Sequence, residues 1–238
     1  MIHLEQLSKK YGSKVALDIE QLDIPAGERF GLVGNNGAGK TTLFSLLLDL
    51  IRPTTGTVWS KETAVSDSDA WKGYTGAFID ESFLIGYLTP EEYFNFVGQL
   101  YGMNPPDVKL FLERFADFFN GEILDSGKYI RNMSKGNKKK IGIAAALLGS
   151  PELVILDEPF ANLDPSSQIR LKNLIRELPP ELTVLISSHD LAHVTEVCQR
   201  IVLLEDGKVI RDIKDAPERT LEELEAYFSG EKTTEAGS

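Results

Sequence analysis

The stretch Gly34-Asn35-Asn36-Gly37-Ala38-Gly39-Lys40-Thr41 constrains this chain more than any other. It fits G-x-x-x-x-G-K-[ST], a phosphate-binding pattern when a strand precedes it and a helix follows. Arg29-Phe30-Gly31-Leu32-Val33 reads as a short buried strand, and Thr42 through Leu50 as a helix, so both flanks are in place. Glycines let the backbone curl so that successive N–H groups point inward. The helix N-terminus adds the positive end of its dipole. Lys40 can reach β- and γ-phosphates, and the Thr41 hydroxyl can ligate Mg²⁺. The plain alternative is an ordinary glycine turn before a helix, and the flanking strand and helix weigh against it.

Length and composition bound the rest. With 238 residues the chain is one large domain or a domain with a sizeable insert. Its mainly apolar runs, such as Ile141 to Leu148, are far short of the ~20 residues that cross a bilayer. Met1 to Tyr11 lacks the apolar core of a signal peptide. A cytoplasmic protein is expected. Cys198 is the single cysteine, which permits no internal disulfide and reads as a buried thiol. The net charge of −11 disfavours broad binding to nucleic-acid phosphate. Lys138-Lys139-Lys140 is the one basic run.

Along the chain, Met1 to Glu28 reads as a small antiparallel sheet, with turns at Tyr11-Gly12-Ser13-Lys14 and Pro25-Ala26-Gly27. Thr57-Val58-Trp59 and Thr75 to Ile79 are further strands. From Thr89 to Gly149 the pattern is helical. Thr89-Pro90-Glu91-Glu92 is a good helix start. Tyr93, Phe94, Phe96, Val97, Leu100 and Tyr101 follow at helical spacing and are expected in the core. A second helix is predicted over Val108 to Phe119 and a third from Ser134 to Leu148. Leu153 to Leu156 and Leu182 to Ile186 are continuous apolar runs of the kind buried parallel strands show. Helices are predicted over Ser166 to Leu178 and Leu191 to Gln199. Asp206-Gly207 turns a hairpin. Thr220 to Phe228 reads as a terminal helix, and residues 230–238 as a mobile tail.

The chemistry gathers at strand ends. Asp157 follows four apolar residues, which places it at the carboxyl edge of a parallel sheet, the edge that carries a phosphate loop. An aspartate there can hold Mg²⁺. Glu158 comes next and, by strand alternation, points the other way, toward an attacking water. A solvated Asp-Glu pair is the bland alternative, and the neighbouring phosphate loop weighs against it. His189 also sits just past an apolar strand and can hydrogen-bond a γ-phosphate or the water. Tyr11 lies in a turn before the loop, where it either packs on the sheet or stacks on adenine.

These motifs in this order resemble the nucleotide-binding subunits of ABC (ATP-binding cassette) transporters, over Met1 to about Arg211. Gly34 to Thr41 resembles their Walker A loop, Leu153 to Glu158 Walker B with its catalytic glutamate, Ala161-Asn162-Leu163-Asp164 the D-loop, and His189 the switch histidine. Met133-Ser134-Lys135-Gly136-Asn137 stands where the family has LSGGQ, keeping Ser134 and Gly136. The S-K-G form is similar to some exporter branches, and the ABC-2 kind is expected. The helix after it makes Lys138-Lys139-Lys140 an exposed basic turn. The fold implied is α/β: a P-loop NTPase core with a mainly parallel sheet, an N-terminal antiparallel β-subdomain and an α-helical subdomain inserted at about 82–149. One domain spans 1–229.

The resemblance also implies roles. Glu158 and His189 are catalytic. Tyr11, Gly34, Asn35, Asn36, Gly37, Ala38, Gly39, Lys40, Thr41, Thr42, Ser134 and Gly136 bind ATP. Thr41, Asp157 and Asp80 serve Mg²⁺. Asp80 is a departure, because the family has a glutamine after that strand. Two cassettes face each other head to tail, so Ser134 and its helix N-terminus serve the partner's ATP. The implied function is ATP hydrolysis that energises transport by an integral membrane permease. The protein would then lie on the inner face of the membrane. A soluble ABC-type ATPase that remodels a ribosome or nucleic-acid complex is the alternative. It fits less well, because this chain has one cassette, no sustained heptads and an acidic balance. A P-loop small-molecule kinase has no purpose for the signature, D-loop and His189.

Overall fold

The computed structural model describes residues 1–214. The predicted helix at Thr220 to Phe228 and the tail lie outside the described residues. In chain order the elements are β1 (Ile2–Tyr11), β2 (Lys14–Ile24), β3 (Arg29–Val33), α1 (Lys40–Leu47), β4 (Thr55–Ser60), β5 (Thr63–Ala64) and β6 (Thr75–Phe78). Then come α2 (Pro90–Leu100), α3 (Pro105–Glu113), α4 (Ala116–Phe119) and α5 (Lys135–Ala146). Last are β7 (Leu153–Leu156), α6 (Pro165–Arg176), β8 (Thr183–Ser188), α7 (Leu191–Thr195), β9 (Arg200–Glu205) and β10 (Lys208–Lys214).

Two sheets form. An antiparallel one runs β2-β1-β4-β5. The other runs β10-β9-β3-β8-β7-β6, parallel throughout except for the hairpin to β10. Alternation divides the parallel strands between two cores. Leu153, Ile155, Leu185, Val202 and Leu204 face the antiparallel sheet and α1, with Leu4, Leu17 and Phe44. Val154, Leu156, Val184, Ile186 and Ile201 face the helices, with Phe94, Ile141, Ile143 and Leu171. Burial on both faces is the reason these strands lack polar alternation.

Two glycines seat α5 against β6. A Cβ at Gly76 would lie 1.7 Å from the Ala146 carbonyl oxygen, and one at Gly142 would lie 2.1 Å from the Phe78 ring. Parallel register then brings the ends of β3, β8, β7 and β6 to one edge. Val33 sits opposite Ser188, Leu156 opposite Ile186 and Phe78 opposite Leu156.

Three expectations need correction. The helix expected over Val108 to Phe119 is two helices. The chain turns at Arg114-Phe115, where Phe115 packs on Phe111 and Phe119 with ring centroids 5.2 and 5.7 Å apart. The helix after β8 closes at Thr195, short of Gln199. Of the six side chains expected in the core along α2, only Phe94 is buried. Phe96 and Leu100 are exposed, and Tyr93, Val97 and Tyr101 line a cleft with Leu50, Trp71, Phe83 and Leu84.

Candidate active site

The loop between β3 and α1 has the conformation its glycines allow. Gly37 and Gly39 have φ of 87° and 112°, a region side chains avoid. Gly34 is needed for space, since its Cβ would fall 2.3 Å from the Leu204 carbonyl oxygen. Lys40 begins α1 and is buried under the loop. Its Nζ donates to the carbonyls of Gly34 (2.6 Å) and Asn35 (3.3 Å).

Thr41 donates from Oγ1 to Asp157 Oδ2 at 2.5 Å. Ser187, on β8, donates to the other carboxylate oxygen of Asp157. Burial pushes the Asp157 carboxyl up, and the bonds from Ser187 and Thr41 oppose that. Glu158 lies beyond β7 with φ of 47°, so a left-handed turn aims its side chain, and strand alternation does not. Its Oε1 lies 3.2 Å from Lys40 Nζ, and its Oε2 lies 2.8 Å from His189 Nδ1.

Tyr11, Asn36, Gly37, Gly39, Lys40, Thr41, Thr42 and Glu158 line one cleft of about 330 Å³, open to solvent beside the phosphate loop. Gly34, Asn35 and Ala38 belong to the same loop. Ser134 and Gly136 do not line that cleft. Ser134 caps α5, its Oγ accepting from Asn137 N at 3.1 Å. Gly136 packs on the Asn162 carbonyl, 3.1 Å from where its Cβ would be.

The ABC transporter family profile matches residues 17–161. YhaQ of Bacillus subtilis, an uncharacterized ABC transporter ATP-binding protein, is 35% identical over 212 residues, spanning 88% of this chain and 70% of YhaQ. The lantibiotic transport ATP-binding protein SrtF of Streptococcus pyogenes is 31% identical over 225 residues, spanning 94% of this chain and 95% of SrtF. The chain belongs to the ABC transporter family. Among solved structures, a dimeric post-hydrolysis state of the ATP-binding cassette MJ0796 with ADP and Pi matches with a TM-score of 0.79, over 91% of this chain and 100% of that one. At 24% identity the likeness is one of fold.

In this ABC cassette Asp80 lies two residues beyond β6 and accepts from Ser82 N at 2.8 Å, and the Ser82 bonds hold its carboxyl below the usual range. Asp164 caps α6 by accepting from Ser167 N at 3.0 Å and from the hydroxyls of Ser166 and Ser167, both at 2.6 Å. The two hydroxyls hold its carboxyl well below the usual range. Among the described residues no three His, Cys, Asp or Glu side chains converge as a metal cage. Thr41 and Asp157 still offer two hard oxygens side by side. That donor set fits Mg²⁺ whose other ligands are phosphate and water, the usual case for this ion.

Sequence reasoning passed over Ser187 and misjudged Lys139 and Lys140. Ser187 ties β8 to the end of β7, donating to Asp157 and accepting from Glu158 N at 2.9 Å. Its signal was a hydroxyl at the end of a wholly buried strand. Lys139 and Lys140 are not the exposed basic turn expected of them. They are 4% and 2% exposed, because α5 is buried all round from Lys139 onward. Lys140 reaches Glu122 at 3.3 Å, and Lys139 donates to the Glu158 carbonyl at 2.5 Å. The apolar residues from Ile141 to Leu148, which leave the helix no polar face, were the available signal.

Proposed function

We propose that this chain is the ATP-hydrolysing subunit of an exporter whose membrane-spanning part is a separate protein. The observation that carries the reading is the line Lys40–Glu158–His189, with separations of 3.2 and 2.8 Å, over a cleft walled by Tyr11. SrtF, named as a lantibiotic transport ATP-binding protein, supports the exporter side. The dimer of MJ0796 with ADP and Pi supports the assembly.

In this reading the ring of Tyr11 stacks on the adenine. The N–H groups of the loop and the Lys40 ammonium hold the phosphates. Thr41 and Asp157 hold Mg²⁺, with Asp80 on the metal side. When bound, Mg²⁺ neutralises phosphate charge. Glu158 Oε2 or Oε1 accepts the proton of the attacking water, and His189 fixes the rotamer of that carboxylate. Ser134 and the N-terminus of α5 face the partner cassette's phosphates, since they stand apart from this chain's own cleft. No helix among the described residues is long and apolar enough to cross a membrane.

The test is isothermal titration with ATP, paired with affinity purification from membranes. Lys40→Ala is expected to weaken ATP binding, and the wild-type chain to retain an integral membrane protein. Unchanged ATP affinity in the variant, or no membrane protein retained, counts against the corresponding half of the reading.

A further inference from the structure

Lys139 has no place in the hydrolytic scheme above, yet it is buried at its centre. Four carboxylates from two segments act on its charge: Asp80 and Glu81 beyond β6, and Asp157 and Glu158 beyond β7. Burial alone would push the ammonium's pKa down, and those acids oppose the shift. Its Nζ donates at 2.5 Å to the backbone carbonyl of Glu158, which also takes a longer bond from Ala161 N at 3.3 Å.

That carbonyl belongs to a residue needing support. Glu158 has φ of 47°, a conformation that costs a non-glycine residue energy unless its surroundings hold it. Ser187 takes its N–H at 2.9 Å and Lys139 holds its C=O. The backbone is therefore clamped on both sides, and the clamp decides where the carboxylate points. The two anchors differ in kind. Ser187 is on β8, inside the sheet. Lys139 is on α5, five residues from Ser134, which is about 7.5 Å along the helix.

We propose that Lys139 is a positioning residue for hydrolysis: it ties the aim of Glu158 to the seating of α5, the helix that begins at Ser134. The proposal rests on the ATPase reading above. It adds that each cassette's signature helix, which faces the partner's nucleotide, also sets the geometry of the glutamate at its own. A lysine suits this post because its long stem carries a donor to the Glu158 carbonyl, and the acids beyond β6 and β7 offset the cost of burying its charge.

Lys140 supplies the control. It is the next residue on the same helix, equally buried, and pairs with Glu122 away from the Walker strands. Wild type, Lys139→Met, Lys139→Arg and Lys140→Met are compared in steady-state ATPase assays across ATP concentration, each with a thermal melt. Lys139→Met is expected to lower kcat about 10- to 100-fold with KM within about threefold of wild type. Lys139→Arg is expected to recover part of kcat. Lys140→Met is expected to lower Tm with kcat within about twofold. If Lys139→Met does not fold, Lys139→Gln, which keeps a shorter neutral donor, must show the same loss of kcat at unchanged KM. Wild-type kcat in the folded Lys139 variants overturns the proposal, as does an equal loss of kcat in Lys140→Met. A wild-type chain that does not hydrolyse ATP overturns the underlying reading instead.

Discussion

His189 Nδ1 meets Glu158 Oε2 at 2.8 Å, although 31 positions separate them in sequence. Parallel register brings the ends of β7 and β8 to one edge, and the left-handed turn at Glu158 then aims its carboxylate at His189. The other oxygen of the same carboxylate faces Lys40. If Glu158 takes the water's proton, Glu158→Gln keeps ATP binding and lowers turnover about 10²-fold or more. The variant is also expected to elute as an ATP-dependent dimer on size exclusion. Near-normal ATPase activity would remove Glu158 from this role.

Ser134 caps α5 outside the cleft that holds Lys40. Ser134→Arg places a large cation where the partner's phosphate is proposed to arrive. Monomer affinity for ATP is expected to stay at the wild-type value by isothermal titration, while hydrolysis is lost. Hydrolysis that persists at dilutions where the protein is monomeric would refute the shared site.

Asp80 carries a charge where a neutral amide is usual in the resemblance. Its hydrogen bond from Ser82 N fixes the carboxylate at the start of the turn after β6. As a metal-side ligand it would raise affinity for Mg²⁺, which demands close oxygens. Asp80→Ala is then expected to raise the Mg²⁺ concentration for half-maximal ATPase, and Asp80→Gln to restore part of it. Superimposable Mg²⁺ titrations of all three proteins would leave Asp80 with no metal role.

Arg200 holds the two sheets together at the edge opposite the site. It is buried, bonds the Asp23 carbonyl at 2.6 Å, and pairs with Asp212 at 2.6 Å and Glu28 at 3.1 Å. The Asp212 hydrogen bonds raise its pKa further. Arg200→Met leaves those carboxylates facing one another. The expected loss is about 2–3 kcal/mol in urea unfolding, at the low side for a buried pair because Asp212 is partly exposed. A midpoint unchanged from wild type would contradict this.

The phosphate loop was legible because its information is local: glycine, lysine and threonine spacing within eight residues, between a strand and a helix. The strands β7 and β8 were legible for a related reason, since burial on both faces leaves an unbroken apolar run. What escaped depends on distant partners. Lys139 and Lys140, within a run of three lysines, look solvated until the Glu158 turn and Glu122 are folded onto them. Phe96 and Leu100 lie at helical spacing, but periodicity identifies a face without saying what covers it. The aim of Glu158 was inferred from pleating, whereas one positive φ sets it.

The glycine contact between β6 and α5 bears on how force moves through this molecule. At Gly76 no side chain separates strand from helix, so backbone meets backbone, while at Gly142 the Phe78 ring lies directly on the helix backbone. Side chains yield by changing rotamer, and a contact without them has little such give. A displacement at the Ser134 end of α5 would therefore reach β6 with little damping at the Gly76 contact. The segment next along the chain is Asp80-Glu81, which lies between Ile79 and Phe83 of the cleft that Leu84 and Tyr93 also line. Helix and strand thus form one stiff unit that runs from Ser134 to that cleft.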